Sequence, residues 1–148
     1  MNKYVENVRM LKFPSYMVEG MKIGHVEIEG LKEVPFEIKR FFYIFGSGNV
    51  GIIRGKHANR KSQFVLLNIA GASKVKIIDE EGNTAVYELK RPYDALFLPE
   101  YVWKEMYDFT ADSVLMVLTS EYYNDAEYIR DFDDYVKIMK EEQMNERG

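Results

Sequence analysis

From Phe36 to Ser120 the chain never shows a helical repeat. It runs as short segments rich in β-branched and aromatic residues, each closed by turn residues. IKRFFYIF (38–45) stops at Gly46-Ser47-Gly48-Asn49, a hairpin-type break, and VGIIRGKHANR (50–60) carries a glycine inside a strand pattern. SQFVLLNIAG (62–71) follows, and KVKIID (74–79) meets Glu80-Glu81-Gly82-Asn83, whose Gly and Asn tolerate positive φ before TAVYELK (84–90) returns. ALFLP (95–99), VWKEMYDF (102–109) and SVLMVLTS (113–120) complete the series. Seven or eight strands at a spacing of roughly 8–12 residues, with no helix between them, predict an all-β sandwich, jelly roll or barrel. Upstream, VRMLKF (8–13) reads as an edge strand and HVEIEG (25–30) alternates like one. The tail changes period: Tyr128, Ile129, Phe132, Tyr135, Val136 and Met139 recur at three- and four-residue steps, predicting a C-terminal helix over about 125–142 with a break near Asp131. On that reading Tyr122, Tyr123 and the Tyr128–Tyr135 stripe are helix packing.

Composition narrows the function. With 148 residues, 47% of them apolar, the chain suits one domain spanning 1–148 with a real core. Twenty Lys and Arg against 24 Asp and Glu give a net charge of −4, which argues against a general nucleic-acid binder. The absence of cysteine excludes disulfides, thiolate metal sites and cysteine nucleophiles, and two histidines, His25 and His57, leave little for a histidine-rich metal centre. The charged opening MNKYVENVRMLKFPSY is unlike a signal peptide, and no run approaches the roughly 18 apolar residues of a membrane span, so a cytoplasmic protein is expected.

The densest constellation of polar chemistry is 54–63, RGKHANRKSQ. Regular alternation over it puts Arg54 and Lys56 on one face with Ala58, and Gly55, His57 and Asn59 on the other, with Gln63 returning to the His57 side if the strand bends. Imidazole, two amides and nearby cations suit an oxygen-rich ligand. The spacing is also cupin-like: Gly51, five residues, His57-x-Asn59, three residues, Gln63, and Gly71 one place late. Asn59 and Gln63 are neutral amides where that motif carries imidazole and carboxylate, and PEYVWKEM (99–106) puts Trp103 and Lys104 where a further histidine would stand. Amides are poor transition-metal ligands, so no metal is expected.

Four segments in order, VPFEIKRFFYIF (34–45), RGKHANRKSQ (54–63), LFLPEYVWKEMYDFT (96–110) and SVLMVLTSEYYNDAEYIRDFDDY (113–135), resemble the dTDP-sugar 3,4-ketoisomerases, metal-free cupins with a WxcM-like domain. The likeness runs from about Gly24 to Tyr135. It implies a cupin-type jelly-roll β-barrel with a short C-terminal helix, and a homodimer sharing the N-terminal strand region (about 1–35). It further implies cofactor-free action on a dTDP-linked 4-oxo-6-deoxysugar for deoxyaminosugar synthesis, with proton removal at C3 and delivery at C4. His57 matches the first histidine of the family's H-A-H and is the expected base, since imidazole exchanges protons near neutral pH.

Asn59 departs from that pattern, because an amide can hold a sugar or enolate oxygen but carries no proton. Tyr43 is then a candidate second acid. Arg54, Arg40 and Lys61 are candidate partners of the pyrophosphate, Gln63 of the sugar, Trp103 of the thymine, and His25 of a shared inter-subunit site. Arg40 and Tyr43, three apart, should face opposite sides of a regular strand. The same departure leaves open a cupin sugar-nucleotide epimerase, or a dTDP-sugar binder of impaired activity.

Overall fold

The computed structural model describes residues 1–21, 23–48 and 51–147. Two five-stranded antiparallel sheets face each other. The first has the order β1 (Arg9–Lys12), β9 (Asp94–Leu98), β6 (Phe64–Ala70), β11 (Val114–Thr119), β4 (Arg40–Phe45). The second has the order β12 (Tyr128–Ile129), β5 (Arg54–Asn59), β10 (Trp103–Tyr107), β7 (Ser73–Ile78), β8 (Thr84–Leu89). The order within each sheet alternates early and late strands, the crossing pattern of a jelly roll, and the ladders form two facing sheets. A small hairpin, β2 (Ser15–Met17) with β3 (Gly24–Val26), stands apart from both. The edge strand expected in VRMLKF is β1, paired with β9.

Alternation of side chains sorts the core into three layers. Leu66, Leu96, Leu98, Leu115 and Val117 of the first sheet meet Val75, Ile77 and Met106 of the second between the sheets. On the outer face of the first sheet, Val65, Leu67, Phe97 and Leu118 are covered by Phe13, Val34 and Phe36 from the N-terminal third. On the outer face of the second, Ala58, Trp103 and Ile129 pack under Tyr135 and Met139 of the C-terminal helix.

The predicted helix over 125–142 needs correction at its start. Asp125–Glu127 is a 3-10 turn capped by the Asn124 side chain, and Tyr128–Ile129 is a strand laid antiparallel on Asn59 and Ala58. Beside a one-turn helix α1 (Lys3–Glu6) at the start of the chain, the C-terminal helix α2 spans Phe132–Arg147. Asp131 sets that boundary, because its Oδ1 accepts from the Asp134 N–H at 3.0 Å as an N-cap does. A three-to-four-residue apolar step cannot separate a two-residue strand from the helix it precedes; the capping carboxylate can. The predicted strand 50–60 begins only at Arg54, and Asn49 and Val50 lie outside the described residues.

Candidate active site

The second sheet positions the site through an irregularity in β5. Gly55 and Lys56 have φ of 82° and 57°, and the pairing with β10 slips so that Glu105 faces Gly55 while Lys104 faces His57. Lys56 is the extra residue of a β-bulge. The alternation expected from the sequence is thereby broken: Arg54, opposite Met106, comes into phase with His57, opposite Lys104, instead of lying on the other face. A Cβ at residue 55 would stand 3.0 Å from the Lys104 carbonyl, so glycine is required there by φ and by space alike.

Behind His57 the strand is buried. Asn59 is 1% exposed and held at both ends: its Nδ2 donates to Glu127 Oε1 at 2.6 Å, and its Oδ1 accepts from Lys104 Nζ at 3.2 Å. Glu127 Oε1 also accepts from the Ser62 N–H at 3.3 Å. Lys104 is 4% exposed, with its ammonium 4.4 Å from the centre of the Phe64 ring. Burial pushes the Lys104 amine down to about 7, an effect only partly offset by the attraction of Glu127. His57 is pushed down to about 3, first by burial, then by the nearby positive charges of Lys104 and Arg130. The imidazole is therefore neutral at physiological pH and free to accept a proton.

The aromatic side of the site comes from the tail. The His57 ring lies 4.9 Å from that of Tyr128, which lies 5.7 Å from Tyr123 and carries the Arg130 guanidinium 4.6 Å from its centre. Arg40 reaches the same group: its Nη2 donates to Tyr128 Oη at 3.5 Å, its Nε donates to the Glu121 carbonyl at 3.3 Å, and its guanidinium lies 5.5 Å from the Tyr123 ring. Tyr123, Tyr128 and Arg130 all belong to the terminal signature YNDAEYIR, where helical periodicity had assigned the tyrosines to packing. Their three- and four-residue spacing mimics a helical period; the 3-10 turn and β12 bring Tyr128 beside His57 and Tyr123 beside Tyr128.

The remaining candidates separate. Tyr43 stands 56% exposed on the outer face of β4 beside Phe45, while Arg40 shares the inner face with Phe42 and Ile44, as their three-residue spacing required. Trp103, expected as a thymine platform, lies on the helix-covered face of the second sheet. Strand alternation puts it opposite to Lys104, beneath α2, edge-on to Phe132 at 5.2 Å, with its Nε1 donating to Glu105 Oε2 at 3.1 Å. Gln63 donates from Nε2 to Glu100 Oε2 at 3.1 Å, which commits its amide to the 99–101 turn. Lys61 is exposed and sits 3.5 Å from Glu121. His25 is exposed on β3, stacked on Tyr16 at 4.8 Å, and lines an apolar cavity of about 970 Å³ with Val26, Ile28 and Met116. Among the described residues no group of three or more His, Cys, Asp or Glu is placed to hold a metal.

The family model described as "WxcM-like, C-terminal" (FdtA) matches residues 6–140. The chain belongs to this family. It is 37% identical over 123 residues to the TDP-4-oxo-6-deoxy-α-D-glucose-3,4-oxoisomerase of Aneurinibacillus thermoaerophilus, covering 83% of this chain and 87% of that protein. Among solved structures it is similar to QdtA, a sugar 3,4-ketoisomerase from Thermoanaerobacterium thermosaccharolyticum in complex with TDP. That match has a TM-score of 0.85 and 35% identity over 92% of this chain and 96% of the other. A histidine-to-asparagine variant of QdtA in complex with TDP-4-keto-6-deoxyglucose matches with TM-score 0.85 and 35% identity, over 91% of this chain and 95% of that one. The cupin-type jelly roll with a C-terminal helix expected from the sequence is present, with its strands in two facing sheets that do not close into the expected β-barrel.

Proposed function

We propose that this FdtA-family chain isomerises TDP-4-oxo-6-deoxyglucose to a TDP-3-oxo-6-deoxyhexose, moving the carbonyl from C4 to C3 without a cofactor. The observation that carries the reading is His57, a half-buried imidazole kept neutral by burial and by the charges of Lys104 and Arg130, in a chain that matches a 3,4-oxoisomerase over 83% of its length. His57 takes the C3 proton, and the electrons of that bond form the C3=C4 enediolate with charge on O4. The cations that depress the free imidazole then favour this anion, so the site is electrostatically matched to the intermediate more than to the neutral sugar. Arg54, in phase with His57 and exposed at the strand end, suits the diphosphate. Asn59, bound at both ends, positions neighbours and transfers no proton.

Incubating the protein with TDP-4-oxo-6-deoxyglucose and resolving the products tests this reading. Turnover to a 3-oxo sugar, lost by about 10²–10⁴-fold in a folded His57→Ala protein, is expected. Unchanged turnover in that variant would remove His57 from its role. One specific observation favours a second reading: with Asn59 in place of a histidine, the chain could bind the TDP-sugar and not convert it.

A homodimer belongs to the same proposal. It is supported by the exposed row Phe41, Tyr43 and Phe45 on the edge strand β4 and by the β2–β3 hairpin, whose Tyr16 and Met17 are more than half exposed. A shared N-terminal region would carry His25 toward the partner. A cytoplasmic location follows from the substrate, since a charged sugar nucleotide does not cross a membrane unaided; among the described residues no helix is long and apolar enough to span one.

A further inference from the structure

We propose that the Lys104 amine is the second proton-transfer group of this site, delivering to C4 the proton that the Asn59 amide cannot carry. The inference rests on the 3,4-oxoisomerase reading above and names the group that completes it. The geometry is specific. Lys104 stands directly across the β5–β10 ladder from His57, so their side chains leave the same face about 5 Å apart at Cβ. Among the described residues its Nζ makes one hydrogen bond, to Asn59 Oδ1, which leaves two of its three N–H groups without an acceptor there.

The groups that face it are few. From β5 come His57 and Asn59, from the 3-10 turn Glu127 through Asn59, from β6 the Phe64 ring, and from β7 the apolar Ile77. Next to it on its own strand, Trp103 and Glu105 alternate to the opposite face, where Glu105 accepts from Trp103 and pairs with Lys76. Among the described residues no carboxylate touches the ammonium directly, and burial lowers its affinity for a proton enough for it to give one up near neutral pH. The rival acid Tyr43 is on the far side of the first sheet, 56% exposed.

The proton balance closes with these two groups. Neutral His57 takes the proton from C3, and the electron pair forms the enediolate. The O3 proton passes to the adjacent O4, the electron pair left on O3 forms the new C3 carbonyl, and the C3=C4 π electrons take a proton from the Lys104 ammonium at C4. The cycle ends with His57 protonated and Lys104 neutral, and exchange with solvent resets both.

Three proteins followed by proton NMR in deuterated buffer with TDP-4-oxo-6-deoxyglucose test the assignment: wild type, Lys104→Arg and Lys104→Met, each checked for folding by thermal melting. In the wild type, loss of the C3 proton signal and appearance of the 3-oxo sugar are expected, with kcat/KM declining as pH rises through about 7. In Lys104→Arg, which keeps the charge, C3 exchange should persist within about tenfold. In Lys104→Met it should slow as well, because a cation facing the enediolate is lost. In both, product formation should fall by about 10²–10⁴-fold. Adding Asn59→His to Lys104→Met should restore at least tenfold of the lost product, since a histidine there supplies a titratable proton. Product formation at the wild-type rate in either folded variant overturns the assignment, and so does joint loss of exchange and product in folded Lys104→Arg. A wild-type protein that neither exchanges nor converts the sugar refutes the isomerase reading, and the role of Lys104 with it.

Discussion

A lysine buried among Phe64, Ile77 and Asn59 should leave its mark on folding as well as on turnover. Its amine titrates at about 7 in the folded protein against an ordinary value of 10.5. Below pH 7 the amine is protonated in both folded and unfolded chains, so the full penalty of burying the charge is present and stability does not change with pH on its account. Between about 7 and 10.5 the unfolded chain still binds this proton and the folded one does not, so stability rises with pH. Above 10.5 the penalty is gone. At about 1.36 kcal/mol for each pKa unit, the whole gap is worth at most ~5 kcal/mol. Water reaching the amine through small openings would bring the observed gain nearer ~2–3 kcal/mol. Urea unfolding at pH 7, 8, 9 and 10, at one protein concentration, measures it. The chain's one tryptophan, Trp103, is buried against Phe132 and Tyr135 and reports the transition. Lys104→Met is the reference, because every other lysine and tyrosine cancels in the difference between the two proteins. The broken hydrogen bond to Asn59 adds only a constant. Wild type should gain on the variant by ~2–3 kcal/mol between pH 7 and 10. A difference that stays flat across that window would show that Lys104 keeps its ordinary affinity for protons and would refute the electrostatic reasoning.

Removal of the Lys104 charge should also raise the His57 pKa, since that charge is among the causes holding it near 3; an imidazole NMR titration that moves down or not at all in Lys104→Met would place the two groups apart. Gly55→Ala, set at φ 82° with its Cβ 3.0 Å from a backbone carbonyl, should cost at least ~1–2 kcal/mol in urea unfolding and lower turnover through the displaced bulge. Stability unchanged by that substitution would mean the bulge is not held by glycine. Glu127→Ala strips the acceptor from Asn59 Nδ2 and the Ser62 N–H and should destabilise the fold by ~1–3 kcal/mol, read by the same unfolding curves. Tyr43→Glu with Phe45→Glu on the exposed row of β4 should shift the protein toward monomer in analytical ultracentrifugation; an unaltered sedimentation profile would move the interface elsewhere.

How much of this was legible in the sequence can be judged element by element. Runs such as SVLMVLTS and KVKIID announce their strands because burial on alternate positions demands β-branched and apolar residues there, and β11 and β7 fall within them. The face assignments around His57 were not legible, because one inserted residue, Lys56, reverses the phase of Arg54, and nothing in RGKHAN besides a glycine hints at it. The tail misled for a related reason. Tyr128 and Ile129 satisfy a helical period with Phe132 and Tyr135, yet the open edge of β5 takes them as a strand. Tyr128 was thereby removed from view as a neighbour of His57. Lys104 left a fainter signal: a lone cation between Trp103 and Met106 in an otherwise buried strand, whose inward direction follows once Trp103 is assigned to the helix-covered face.

The most direct test of the account is the fate of the C3 proton when wild-type protein meets TDP-4-oxo-6-deoxyglucose in deuterated buffer. The account predicts loss of the C3 signal together with a new 3-oxo sugar, through an enediolate formed at His57. A C3 signal that persists at saturating substrate, while calorimetry shows that the nucleotide still binds, would contradict it and leave a jelly roll that holds a TDP-sugar without converting it.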